Sequence, residues 1–268
     1  MTLILPQISG GLGRNPFTLK SPTFVQNKSL TYKTANDIAF NPDGTKMFIG
    51  TNNSSGNPDI IEEWGLTTAW DISTATVTTT HTVVANGFAM GIAFSSDGLR
   101  LHYIDGHNKK LKDRKLSPAY TLANSATSTR EETTPNSARG LFQRDNDIDI
   151  YFVDTPNDEV EQWSMSTAGN ISTASFVRAY ATGLAVPRGL CFDPTGTIML
   201  VSDNVTDSIY QYNLSTAWDI SSASSSGFVL DTDADGGGET GPIGVAFGND
   251  GNNLYVTGFK EQLTQFSL

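Results

Sequence analysis

Three aspartates, Asp105, Asp154 and Asp203, recur at a fixed interval of 49 residues (105 to 154 to 203), and Arg139 and Arg188 keep the same interval. Carboxylates and guanidiniums gathered on one rim would bind a cation or a polar ligand. The same residues also suit a plainer role, in which each Asp caps its own loop and the arginines act as ion-pair partners. A second acidic motif is Asp231-Thr232-Asp233-Ala234-Asp235-Gly236. It matches the first half of a calcium loop, where alternating carboxylates converge and Gly allows a sharp turn. Its second half departs: Glu239 stands at the ninth position and Pro242 at the twelfth. Calcium on Asp231, Asp233, Asp235 and Glu239 is therefore one expectation, and a solvated acidic loop is the other. No other cofactor is called for.

Catalytic constellations are sparse. Only His81, His102 and His107 are present, and there is no Gly-x-Ser-x-Gly elbow, phosphate-binding loop or His-Glu-x-x-His. The single cysteine, Cys191, falls where other copies of a repeat carry Ala39, Ala93 and Ala246, which marks a small buried position. The net charge of −11 argues against nucleic acid or anionic lipid as partner, since both select basic patches. No apolar run approaches the ~20 residues of a membrane-spanning helix.

The elements that must position these residues come from an internal repeat. Its anchors fall at Asp37, Gly91, Gly140, Gly189 and Gly244. Each copy opens with a short apolar run such as Gly189-Leu190-Cys191-Phe192, followed by a turn such as Asn41-Pro42-Asp43-Gly44. Asp-Gly between two apolar runs is a strong hairpin signal. A second strand, a third ending near an aromatic (Trp64, Trp163, Tyr212), and a β-branched fourth complete the copy. Four short strands in a period of roughly 50 residues predict a β-propeller blade. The third copy is degenerate, with Asn146-Asp147 in place of Asp-Gly. The last copy ends after its third strand, and Ser21 to Tyr32 supplies the missing fourth. The prediction is an all-β chain: one five-bladed propeller over 18–268, closed by an N-terminal strand. Loops before the first strand and after the second share a face, so the Asp and Arg series meet there. Residues 1–17 lie outside the repeat and lack the marks of a signal peptide. Leu3, Ile4, Leu5 and Ile8 suggest an arm that docks on a neighbouring subunit, and a plain leader is the alternative.

The copies GIAF–SDG–YIDG, DIAFNPDGTKMFIG and GVAF–DG–NLYVTG resemble repeats of the YVTN/NHL-like propeller superfamily. The segment Leu214 to Ser221 (LSTAWDIS), approximated at Leu66 to Ser73, resembles repeats in virion and tail-associated proteins of marine bacteriophages. That resemblance implies a non-enzymatic virion component, on capsid or tail, touching other virion proteins or a host-surface glycan. A secreted or cell-surface binding propeller of a bacterium is one alternative. The other is a metal-dependent lactonase or hydrolase at the channel rim, because gluconolactonase-like and paraoxonase-like propellers hold a metal on Glu, Asn and Asp.

Overall fold

The computed structural model describes residues 16–30, 34–52, 59–84, 88–135 and 137–268. The arm residues Leu3, Ile4, Leu5 and Ile8 lie outside this set. Five antiparallel four-stranded sheets form the blades of a ring. The first blade is β2 (Thr34–Phe40), β3 (Lys46–Asn52), β4 (Asp59–Leu66) and β5 (Ala75–Val84). The second is β6 (Ala89–Phe94), β7 (Arg100–Asp105), β8 (Lys110–Lys115) and β9 (Ala126–Thr133). The third is β10 (Ala138–Gln143), β11 (Asp149–Asp154), β12 (Glu159–Met165) and β13 (Ala174–Ala181). The fourth is β14 (Pro187–Phe192), β15 (Ile198–Asp203), β16 (Ser208–Leu214) and β17 (Ala223–Asp231). The fifth is β18 (Pro242–Gly248), β19 (Asn253–Gly258), β20 (Gln262–Ser267) and β1 (Thr23–Ser29).

The predicted closure holds: β1 pairs antiparallel with β20, from Thr23 opposite Ser267 to Ser29 opposite Gln262. Apolar clusters fill the gaps between blades, and Phe48, Tyr151, Phe152, Tyr255 and Phe266 are fully buried. Each such side chain contributes about 1.5–3 kcal/mol by leaving water. Cys191 is buried among the channel strands, as its small-residue position implies.

The Asp-Gly turns have a second purpose. Trp70, Tyr120 and Trp218 lie flat against Gly44, Gly98 and Gly196, where an added Cβ would sit 2.1–2.2 Å from the ring. In the third blade both partners differ: Asp147 stands at the glycine position and Gly169 at the Trp position, still joined by the bond from Gly169 N to Asp147 O (2.7 Å). The turn lost its glycine where the ring that required it is gone. In the fifth blade Phe17 supplies the ring, against Gly251 and 5.2 Å from Phe247. Leu19 N then donates to Gln211 of the fourth blade (2.8 Å). Phe17 is thus part of the closing blade, although the repeat by itself places it in the arm.

Candidate functional site

The first strand of each blade runs along the channel, so the site has two ends. At the end where these strands start, Ala89, Ala138, Pro187 and Pro242 pair with Asp105, Asp154, Asp203 and Gly258. The Asp series therefore shares one face, and most of it is occupied with loop capping. Asp203 accepts from Ala185 N, Val186 N and Val205 N at 3.0–3.1 Å. Asp105 accepts from Asn108 N (3.1 Å), Asn108 Nδ2 (2.8 Å) and Lys112 Nζ (2.7 Å). Burial pushes the Asp105 carboxyl up, but the Asn108 and Lys112 donors together hold it below its ordinary value.

Asp154 differs. It is 2% exposed, accepts from Asn157 Nδ2 (2.7 Å), and its Oδ1 has no hydrogen-bond partner. Asp154, Glu159 and Glu161 bring carboxylate oxygens within 4.8 Å of one another, and this cluster can hold a metal ion. The cause is a charge swap between neighbouring blades. In β8, Lys110 and Lys112 lie opposite Asp105 and Tyr103; in β12, Glu159 and Glu161 occupy the same places opposite Asp154 and Phe152. Where Asp105 has an ammonium, Asp154 faces two more carboxylates. Burial, then the charge of Asp154, raises the Glu159 carboxyl. Burial is likewise the main cause of the raised Glu161 carboxyl, partly offset by its bond from Trp163 Nε1 (2.5 Å). A buried carboxylate oxygen without a donor fits a cation in the place of the missing ammonium.

On this same face, Arg139 adjoins Ala138, the cross-strand partner of Asp154. Its guanidinium donates to Met90 Sδ (3.0 Å), and its Nε has no partner. Burial and the like charge of Arg188 push Arg139 down to about 10. Arg188 is lowered by burial too, with Asp203 opposing, and its Nε also lacks a partner. Among the described residues no carboxylate lies within salt-bridge distance of either arginine. Two half-buried guanidiniums with no carboxylate in salt-bridge range, and only Asp203 acting on Arg188 from farther off, can take an anion.

The calcium-loop residues do not assemble. Asp231 caps its own turn, accepting from Asp233 N (3.1 Å) and Ala234 N (2.8 Å), and Asp235 accepts from Asp231 N (3.1 Å). Asp233 and Asp235 are exposed. Glu239 turns away and fills the space that Gly258 leaves, 2.4 Å from where a Cβ would be. There it accepts from Lys260 N (3.2 Å), and burial pushes it up to about 7. Glu239 thus caps the fifth blade's loop from the place Gly258 leaves, with its Oε2, like Asp154 Oδ1, lacking a hydrogen-bond partner. Alignment of KLKDR (110–114) with EVEQW (159–163) across the repeat carries the sequence signal for Glu159 and Glu161.

The other end of the channel is rich in aromatic rings, with polar side chains among them. A cavity of about 380 Å³ is lined by Phe40, Phe94, Phe142, Phe192, Phe247 and others, with Asp37 among its lining residues. The anchor position is glycine in four blades, and a Cβ there would clash with the next innermost strand: 2.8 Å at Gly91, 2.7 Å at Gly140, 2.0 Å at Gly189 and 2.7 Å at Gly244. The fifth anchor is Asp37. Its carboxylate reaches across the axis, accepting from Ile38 N (3.0 Å), Ile92 N (2.8 Å) and Leu141 N (3.2 Å). Burial, opposed by these three N–H groups, pushes it up to about 7. The first copy opens on Asp rather than Gly, which is visible in the sequence, but its reach into the channel is not.

No protein-family model matches the chain, and no curated protein matches its sequence. Solved structures do. A periplasmic gluconolactonase of Pseudomonas aeruginosa superposes with a TM-score of 0.54 at 14% identity, over 87% of this chain and 66% of that one. A putative 6-phosphogluconolactonase of Bacteroides fragilis gives 0.54 at 10%, over 83% and 76%. A protein of unknown function from Desulfotomaculum acetoxidans gives 0.51 at 13%, over 85% and 63%. The chain thus spans slightly less than two thirds of the length of the first and last of these. At such identities the likeness establishes the propeller fold. It also corrects the expectations drawn from the LSTAWDIS segment: a non-enzymatic phage component and a virion location are both withdrawn. Two of these three propellers carry lactonase names, one of them periplasmic. The physical reason is local. That segment is the turn that seats Trp70 and Trp218 on their glycines, a structural need of the blade.

Proposed function

We propose that the chain is a hydrolase of the lactonase kind, acting on a lactone with an anionic group at the rim that carries Arg139 and Arg188. The observation that carries this reading is the unpartnered Asp154 Oδ1 in a three-carboxylate cluster, on the channel face that also carries Arg139 and Arg188. The lactonase names among the structural neighbours support it.

Asp154, Glu159 and Glu161 would hold a divalent cation, which when bound supplies Lewis-acid polarisation of the lactone carbonyl. Arg139 and Arg188 bind the carboxylate or phosphate of the substrate and orient it in bidentate fashion. They also favour the negative charge that develops on the carbonyl oxygen as water adds. Glu159, the most open of the three carboxylates, would take the proton of the attacking water through the oxygen that does not hold the ion. That proton passes to the ring oxygen as the ester C–O bond breaks, and the product leaves as a hydroxy acid.

The test is hydrolysis of glucono-1,5-lactone and its 6-phosphate, corrected for the spontaneous rate, with Ca²⁺, Mg²⁺, Mn²⁺ or Zn²⁺ and with chelator. Turnover should need one of the ions, and the Arg139→Gln/Arg188→Gln double variant should lose roughly 100-fold in kcat/KM on the phosphorylated lactone. Absence of turnover above the spontaneous rate with every ion would end the lactonase reading.

A further inference from the structure

We infer that the aromatic funnel at the far end of the channel is a binding site for a small organic ammonium ion, its charge set against Asp37 and its carbon shell against the rings of Phe40, Phe94, Phe142, Phe192 and Phe247. The site lies at the opposite end of the innermost strands from Asp154 and does not depend on the lactonase reading.

Three features select this ligand. The first is charge. Asp37 is 2% exposed, lines the cavity, and among the described residues has only backbone N–H groups as partners, with no cation in salt-bridge range. A carboxylate kept from water without a counter-charge costs free energy that an entering cation offsets. The second is the wall. Phenylalanine faces attract cations through the ring quadrupole, worth about 0.5–2 kcal/mol each depending on desolvation, and they offer no oxygen ligands. A bare metal ion needs several oxygens, and the other polar side chains of the lining are engaged or exposed: Ser95 bonds Asp97, Ser96 and Gln143 bond Asp147, and Asp145 is exposed. A cation that carries its own apolar shell satisfies both. The third is shape. The glycine waist and Asp37 close the floor, while the rings are held by their neighbours: Phe40 by Trp70 at 5.2 Å, Phe94 by Tyr120 at 5.1 Å and Phe247 by Phe17 at 5.2 Å. Phe40, Phe94, Phe192 and Phe247 stand at one repeat position, three residues after their anchors, where the third blade has Gln143; Phe142 adds a ring from the neighbouring position. The acidic chain adds a field that concentrates cations.

The other titratable groups around the cavity are few. Cys191 on β14 is pushed well up by burial, and Tyr120 at the mouth is raised by burial; Asp145 lies on the rim. Cys191 and Tyr120 therefore stay neutral around pH 7, and Asp37 is the group beside the ligand whose charge changes there.

The experiment is calorimetric titration of the full chain with benzyltrimethylammonium chloride, with 2-phenylethanol as the neutral comparison. The ammonium should bind at least about tenfold more tightly than the alcohol, and Asp37→Asn should remove that advantage while leaving the alcohol unchanged. Phe94→Leu should weaken the ammonium by a few-fold. Because this ion has a permanent charge, its affinity for the unaltered chain should rise between pH 6 and pH 8 as Asp37 ionises, and this series decides the matter even where Asp37→Asn fails to fold. Equal affinity for ion and alcohol, a flat pH series, or no binding of the ion at about 10 mM and pH 8 would overturn the inference.

Discussion

The second and third blades are built on one plan and carry opposite charge at the same places. In the second, Asp105 is answered by Lys112 at 2.7 Å, the pair is closed, and the loop is finished. In the third, Asp154 looks onto Glu159 and Glu161 and keeps an oxygen without a donor. Both blades fold around similar apolar neighbours, so the difference is not one of packing. A propeller blade tolerates a locally unfavourable charge because four strands of backbone hydrogen bonding and two flanking interfaces fix its geometry. The stability given up in the third blade is thus localised at a rim position that faces an open space lined by Thr134, Pro135 and Asp154. In the second blade the ammonium completes the pair, and in the third its absence leaves the carboxylate oxygen on which the proposed metal site rests.

Exchanging the charges tests this directly. Lys112→Glu places a second carboxylate beside buried Asp105 without a cation, and we expect a loss of about 3–5 kcal/mol in urea-induced unfolding. A loss below about 1 kcal/mol would mean that the rim is wet enough to make the comparison empty. The reverse change, Glu161→Lys, copies the second blade into the third. It should abolish divalent-ion binding by calorimetry and cut lactone turnover at least about 100-fold, with a melting temperature at or above the starting value. Retention of both ion binding and turnover would move the metal elsewhere.

The pH dependence should carry opposite signs in the two blades. Asp105 has a folded pKa below its ordinary 3.8, so its contribution is complete above that value and is lost as pH falls through the folded one. Glu161 has a folded pKa above its ordinary 4.5, so the folded chain holds that proton more tightly than the unfolded one. Its stabilising effect is complete below 4.5 and disappears as pH rises through the folded value. Asp105→Asn should therefore flatten the stability profile on the acid side of 3.8, and Glu161→Gln should flatten it above 4.5. The two variants should not affect each other's window, and a bound divalent ion should erase the second effect alone.

Much of this architecture was legible in the sequence. The five anchors, the Asp-Gly turns and the orphan strand at Phe24-Val25 specify blade number, hairpins and closure, because the repeat converts local turn chemistry into global topology. The face shared by Asp105, Asp154, Asp203, Arg139 and Arg188 followed from strand direction. What could not be read was which of them remain unsatisfied, since that depends on residues seven positions away in another strand: Lys112 for Asp105, Glu161 for Asp154. Glu239 shows the same limit. Its spacing from Asp235 suggests a shared ion, yet the vacancy left by Gly258 attracts it to another loop. Asp37 was equally hidden, because a residue that replaces glycine at an anchor reads as a variant of the strand rather than as a carboxylate across the channel.

The smallest effect we expect concerns the other way in which the third blade departs, its missing ring. Trp218 lies on Gly196 and also takes a cation–π contact from Arg144 at 4.8 Å, whereas Gly169 in the third blade meets nothing and Asp147 replaces the turn glycine. If ring and glycine depend on one another, Gly169→Trp alone should cost about 1–3 kcal/mol, because the Asp147 side chain stands where the ring must lie. Adding Asp147→Gly should recover most of that loss. The double variant should come within about 1 kcal/mol of the starting chain, since the regained ring contact is offset by the bonds Asp147 now accepts from Ser96 N (2.9 Å), Ser96 Oγ (2.6 Å) and Gln143 Nε2 (2.9 Å). A coupling energy near zero in this double-mutant cycle would mean that the two departures arose separately. A coupling above about 1 kcal/mol would tie them together, and would separate the third blade's structural drift at one end of the channel from its charge swap at the other.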